Sequence, residues 1–276
     1  MSNWTPAQAA PNLTGYGHPA GSTYGTTVNA HPASANMFGS WAELVASTGV
    51  QAGAMMVFAM DSSTGTRYAV HIGIGASGSE KVLVEKLMFQ QPRASQGSDC
   101  YFIPIMVPTG KRLAARCSAN AGGSNLDVYV VLIPLSVSPL ARFGRTAAYG
   151  YGSGESSLGT SIDPGTTVNT KGAYAELVAS TTNPIKFILL MLGLQANAIA
   201  SDAKWRLDLA VGASGLEQII LPDVVFESAT ANDDMLTKVL ALPCCIKAGS
   251  RLAARAQCTV NDSFDRFFDV AILGVD

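Results

Sequence analysis

The chain has 276 residues, 48% of them hydrophobic and only 14% charged, against about 25% charged in an average soluble domain. A net charge of −2 offers no basic face for nucleic acid. The most apolar run, Ile185–Leu194, is too short to cross a bilayer as a helix. Neither nucleic acid nor a membrane is therefore expected as a partner, and the scarcity of charge predicts a broad surface for contacts with proteins.

In chain order, residues 1–20 carry Pro6, Pro11, Gly15, Gly17 and Pro19 and read as an N-terminal arm without a core of its own. Beyond the arm, the same unit is written twice. Gly25-Thr-Thr-Val-Asn29 returns as Gly165-Thr-Thr-Val-Asn169, and Ala42-Glu-Leu-Val-Ala-Ser-Thr48 as Ala175-Glu-Leu-Val-Ala-Ser-Thr181. Gly75-Ala-Ser-Gly78 is answered by Gly212-Ala-Ser-Gly215, and Arg112-Leu-Ala-Ala-Arg116 by Arg251-Leu-Ala-Ala-Arg255. A period this long signals two tandem domains rather than a solenoid. The first is placed at 21–136 and the second at 164–276, with a Gly/Ser-rich linker at 137–163 centred on Tyr149-Gly-Tyr-Gly-Ser153.

Within each copy the apolar residues alternate. Tyr68, Val70, Ile72 and Ile74 form one row, answered by Trp205, Leu207, Leu209 and Val211. That is the period of a strand with one buried face. Inward rows are also expected at Tyr101, Ile103, Ile105 and Val107, matched by Leu240, Leu242, Cys244 and Ile246. Leu113, Ala115 and Cys117 match Leu252, Ala254 and Ala256, with Arg112, Arg116, Arg251 and Arg255 pointing away. Closing strands are expected at Leu126–Ile133 and Phe268–Val275, and Pro222 marks an edge or a bulge in the second copy. Seven or eight short strands per copy, joined by Gly- and Ser-rich turns and without a helical period, predict an all-β chain. The fold class expected is two tandem antiparallel β-sandwich, jelly-roll-like domains arising from an internal duplication.

No catalytic, cofactor-binding or metal-binding residue is assigned, and no cofactor is expected. Of the three histidines, His18 and His31 lie in Pro- and Ala-rich stretches, and His71 falls on the polar side of a strand, where a solvated residue is expected. Glu43, Glu80, Glu176 and Glu217 recur at matching points, and carboxylate–guanidinium pairs with the recurring arginines explain them better than acid–base chemistry. The glycine motifs are followed by strands rather than by a helix, so they read as hairpin turns and not phosphate loops. The five cysteines have no C-x-x-C spacing, which gives a zinc site no support. Cys117, Cys244 and Cys258 are expected inside, whereas Cys100 and Cys245 face outward and could pair between subunits.

The phrases Ala-Glu-Leu-Val-Ala-Ser-Thr, Val211-Gly-Ala-Ser-Gly-Leu-Glu217 with Ile219-Ile-Leu-Pro-Asp223, and Lys247-Ala-Gly-Ser-Arg-Leu-Ala-Ala-Arg255 resemble a β-rich module of tailed-bacteriophage virion proteins. The resemblance covers both copies and carries no catalytic residues. It implies a non-enzymatic part of the particle: capsid decoration, a neck or collar component, or a tail or fibre accessory. Major capsid, neck or tail proteins would be its partners, with self-association into a homo-oligomer. Such a protein is made in the host cytoplasm and resides in the virion. The first copy departs from the pattern at Val84-Glu-Lys86, where the second has Leu221-Pro-Asp223, so the copies are expected to meet different partners. The alternative is a glycan- or receptor-binding module of a tail or fibre, with Trp41, Tyr174, Tyr149 and Tyr151 as stacking platforms.

Overall fold

The computed structural model describes residues 13–17, 25–60, 66–90, 99–136, 143–151, 159–194, 203–228, 238–262 and 266–276. The turn expected at Ser62–Gly65 and residues 137–142 and 152–158 of the expected linker lie outside them. Every described element is a strand, and every pairing between strands is antiparallel. There is no helix among the described residues, and hence none long and apolar enough to cross a membrane.

The first copy comprises β1 (Thr14–Tyr16), β2 (Thr26–Asn29), β3 (Ala42–Val45), β4 (Ala52–Met60), β5 (Arg67–Ile74), β6 (Lys81–Gln90), β7 (Asp99–Ile103), β8 (Leu113–Ala119) and β9 (Asn125–Pro134). The second comprises β10 (Thr146–Tyr149), β11 (Thr160–Ile162), β12 (Ala175–Val178), β13 (Ile185–Leu194), β14 (Ala203–Val211), β15 (Gln218–Ser228), β16 (Lys238–Ile246), β17 (Leu252–Cys258) and β18 (Phe268–Val275). Each copy folds into two facing sheets. One has the order β1-β9-β4-β7 with β2 also on β9, and the other β3-β8-β5-β6. The second copy repeats this as β10-β18-β13-β16 with β11 on β18, and β12-β17-β14-β15. This interleaved order is that of a jelly roll, in which successive strands cross between the two sheets except at the β5–β6 and β14–β15 hairpins and in the lead-in pairs β1–β2 and β10–β11.

The duplication therefore extends beyond the repeated words. β10 and β11 lie inside the stretch 137–163 that the sequence pattern assigns to a linker, and β1 lies inside the expected arm. Tyr16 pairs with Val130 just as Tyr149 pairs with Ile272, so the two lead-in segments are equivalent edge strands of their own domains.

Alternation builds the two cores. Leu126, Val128, Val130 and Leu132 of β9 are buried inside, while Asp127, Tyr129, Val131 and Ile133 remain half-buried on the outside. Large aromatics fill the centres. Tyr68 donates its hydroxyl to the Asn125 carbonyl at 2.8 Å. Trp205, at the matching position, stacks on Phe226 at 5.1 Å and donates Nε1–H to the Arg266 carbonyl at 2.8 Å. Both satisfy a buried polar edge while their rings supply apolar area. The expected inward rows are buried except at the strand ends Ile74 and Val211, which are half-buried, and on β16, where Leu242 and Cys244 are half-buried and Leu240 is exposed.

One difference between the copies governs the whole molecule. β18 is buried along its entire length, with no exposed alternate row. The reason is that the first domain covers its outer face. β6 lies against β10, β13 and β18. There Phe187, Leu189, Met191, Ala271, Leu273 and Val275 join one apolar cluster with Leu87, Met88 and Phe89. Polar contacts fix the register across this seam. Thr146 Oγ1 donates to the Leu83 carbonyl at 3.0 Å, and the Ala148 N–H donates to Glu85 Oε2 at 3.0 Å. Tyr151 donates its hydroxyl to the Lys86 carbonyl. At the rim, Arg67 and Asp269 form a buried ion pair at 3.7 Å.

Candidate functional site

The recurring charged residues occupy the outer faces of the four-stranded sheets, in equivalent clusters. Arg112 stands before β8 and clamps two carboxylates, Glu43 of β3 at 2.6 Å and Glu80 of the β5–β6 turn at 2.7 Å. Arg251 does the same with Glu176 at 2.7 Å and Glu217 at 3.1 Å. The fold thus brings the carboxylates of each copy together, but on a guanidinium that bridges them, in keeping with the expected pairing. Gly75 and Gly78, like Gly212 and Gly215, take positive φ in the hairpin turns that position Glu80 and Glu217. These turns bend the chain between two strands and do not open a helix N-terminus.

The second cluster corrects the reading of His71, which is buried rather than solvated. Phe38, from the segment before β3, stacks on its imidazole at 4.0 Å, and Arg116 of β8 reaches Nδ1 at 3.2 Å. The Arg116 guanidinium also lies over the rings of Trp41 at 4.6 Å and Phe38 at 4.9 Å. Burial, with the positive charges of Arg116 and Lys86, pushes the imidazole pKa down to about 3. The ring is therefore neutral, with Nδ1 accepting from the guanidinium, and does not serve as a proton carrier at neutral pH.

In the second copy Asp208 replaces His71 and Lys171 replaces Phe38. The Asp208 carboxylate receives Lys171 at 2.7 Å, Arg255 at 3.0 Å and the Asp223 N–H at 3.1 Å. Burial opposes its ionisation, but these three partners outweigh that and hold its pKa below the usual carboxylate range. Arg255 lies over the Tyr174 ring at 4.6 Å. An aromatic–imidazole sandwich and a three-partner ion cluster solve one problem, that of closing the same sheet face. Sequence reasoning misses this when His71 and Asp208 are compared alone. The signal is the joint change of Phe38 to Lys171, visible when the copies are aligned.

Beside the first cluster opens a cleft of about 610 Å³, lined by Asn29, His31, Phe38, Ser40 and Trp41 among others. The Trp41 ring is hemmed in. One contact is the Arg116 guanidinium, and another is the backbone at Gly73, where a Cβ would come within 2.7 Å of the ring. Of the other aromatics proposed as platforms, Tyr149 is buried inside its domain and Tyr151 is half-buried in the seam between domains. Cys100 and Cys245 are exposed, and Cys117 and Cys258 are buried. The half-buried Cys244 thiol is pushed up to about 11 by burial and by its neighbour Cys245. Among the described residues no three His, Cys, Asp or Glu side chains converge to hold a metal ion.

No protein-family model and no curated protein matches the chain. Among solved structures it is similar to PNGF-II, with a TM-score of 0.41 and 9% identity over 95% of this chain, which spans 65% of that protein's length. It is also similar to the CBM22-1–CBM22-2 tandem domain of Paenibacillus barcinonensis Xyn10C, with a TM-score of 0.25 and 9% identity over 85% of this chain and 82% of that one. A third is the infectious bursal disease virus VP2 subviral particle, with a TM-score of 0.23 and 10% identity over 83% of this chain and 57% of that one. At such TM-scores these likenesses say nothing about function.

Proposed function

We propose that the protein is a non-enzymatic structural component of a bacteriophage particle, a capsid decoration, neck or collar, or tail accessory protein. It binds other virion proteins through the faces of its sandwiches. The observation that carries this is how the fold distributes its side chains. The recurring carboxylates and the buried imidazole are committed to guanidinium or ammonium partners. Broad apolar rows stay half-exposed on the outer face of the first domain, and apolar side chains stay exposed along β15 of the second. Such faces suit assembly with other proteins. The resemblance of both copies to a virion module points the same way.

Quantitative mass spectrometry of gradient-purified particles tests it. Abundance near that of the major shell protein identifies decoration of the lattice, and a few rings' worth per particle identifies a neck or tail position. Absence from the particle refutes the proposal. A second reading, a glycan- or receptor-binding module, draws on the aromatic cleft at Phe38 and Trp41. Specific, saturable binding on a glycan array that is lost in W41A would favour it.

A further inference from the structure

The contact between the two domains is heterologous: a sheet edge of the first domain sits on the outer sheet face of the second. Because the domains are copies, each also carries the half of that contact which the other one uses. The second domain has its own version of the edge, and the first its own version of the face. Neither is covered by the described residues of the chain.

The strand registers make the correspondence residue by residue. Leu87 opposes Val70 as Val224 opposes Leu207, so Met88 corresponds to Val225, and Arg67 to Lys204. Ala59 opposes Val128 as Leu192 opposes Val270, so Met56 and Phe58 correspond to Leu189 and Met191. By the same registers Asp127, Tyr129, Val131 and Ile133 correspond to Asp269, Ala271, Leu273 and Val275. Exposure differs accordingly. Met88 is 2% exposed under the seam, while Val225 is 69% exposed. Arg67 is buried, and Lys204 projects into solvent. Leu189, Met191, Leu273 and Val275 are buried, while Met56, Phe58, Val131 and Ile133 are only half-buried.

We infer that a second copy of the chain docks by the same geometry, its β15 edge seated on the outer β9-β4 face of the first. The chemistry on the two free halves is complementary. The buried Arg67–Asp269 pair has its counterpart in Lys204 and Asp127, a cation and a carboxylate again. Where the internal seam uses polar contacts, from Thr146 and to Glu85, the corresponding free residues are Leu13 and Pro222, and exposed Leu13 can pack against the proline ring. The polar partners have thus been exchanged for apolar ones on both sides at once. Cys100, on β7 beside Phe58, lies within the face that the incoming edge covers. A heterologous contact repeats from copy to copy, closing into a ring or running on as a filament.

The inference does not rest on the virion reading, since it concerns the purified chain, and particle abundance leaves it untouched. Analytical ultracentrifugation of the full chain is expected to show association beyond the monomer. V225K should weaken that association by about tenfold or more, as for a central contact position, without changing the melting temperature measured at dilution where the chain is monomeric. In a C100S/C245S background, F58C and V225C chains mixed together should be joined by a short bismaleimide, and neither should cross-link to itself. A monomer at every concentration, association insensitive to V225K, or V225C joining to V225C would overturn the inference.

Discussion

The ring of Trp41 occupies the space a Cβ would need at Gly73, only 2.7 Å away, although the glycine backbone there has no positive φ. The second copy holds the smaller Tyr174 opposite Ala210, a coordinated exchange of volume between neighbours. G73A is expected to destabilise the protein by about 1–3 kcal/mol through overpacking, and the added W41Y should recover most of the loss in chemical denaturation. His71 gives a second test. Its pKa is about 3 in the folded chain against 6.5 unfolded. Between those values the unfolded chain takes up a proton that the folded chain refuses. Stability from this group is therefore complete above pH 6.5 and declines as the pH falls towards 3, by at most about 1.4 kcal/mol per pH unit. Replacing the imidazole with a non-titrating acceptor, H71N, should flatten the stability profile between about pH 5.5 and 6.5, above the range where the unfolded chain protonates carboxylates such as Glu80, Glu217 and Asp208 that are depressed in the fold. An unchanged slope would refute the assignment.

The strands were legible where large apolar residues alternate with small or polar ones, as in the Tyr68–Ile74 row and its counterpart Trp205–Val211, although Arg67, Ala69 and His71 on the alternate row of β5 are buried as well. They were not legible at β1, β10 and β11, which are short and Gly-flanked and hold their places by pairing with β9 or β18 rather than by their own pattern. The uninterrupted burial of β18 could not be read either, because it depends on what covers the strand and not on the strand itself. β6 and β15 share one form, down to the positive φ of Lys86 and Asp223 at the same bulge. They differ in side chains, as Met88 against Val225, and in what faces them. M88D is accordingly expected to destabilise by about 3 kcal/mol or more, since it drives a carboxylate into an apolar seam. V225D, at the corresponding position of β15, should change folding stability by about 0.5 kcal/mol or less. Urea melts of the two variants under dilute conditions check the contrast. Equal effects would mean that the seam does not protect Met88.

At the scale of the molecule, the duplication, the sandwich class and the arginine–carboxylate pairs could be read from the repeated words. How the copies sit on one another could not, because a seam built from edge and face leaves no periodic mark in sequence. The consequence is cooperativity. The first domain's apolar cluster includes Leu189, Met191, Leu273 and Val275 of the second, so neither domain keeps its burial without the other. One calorimetric transition is expected for the full chain, with R67M lowering it as a whole, because Asp269 then loses its buried guanidinium. Two separable transitions, only one of them shifted by R67M, would show that the domains melt independently.

The lead-in strands β1 and β10 give the duplication a history. An ancestor with a single sandwich, joining to its own kind by edge on face, would have used one contact at every junction. Fusing two such genes makes one junction permanent and leaves the next to be remade each time chains meet. The two junctions can then diverge, as Glu85 and Thr146 at the permanent one differ from Pro222 and Leu13 at the other. Arithmetic also enters, for a fused chain contributes domains only in pairs. Any closed ring it forms by this contact must hold an even number of them, whatever number its ancestor preferred.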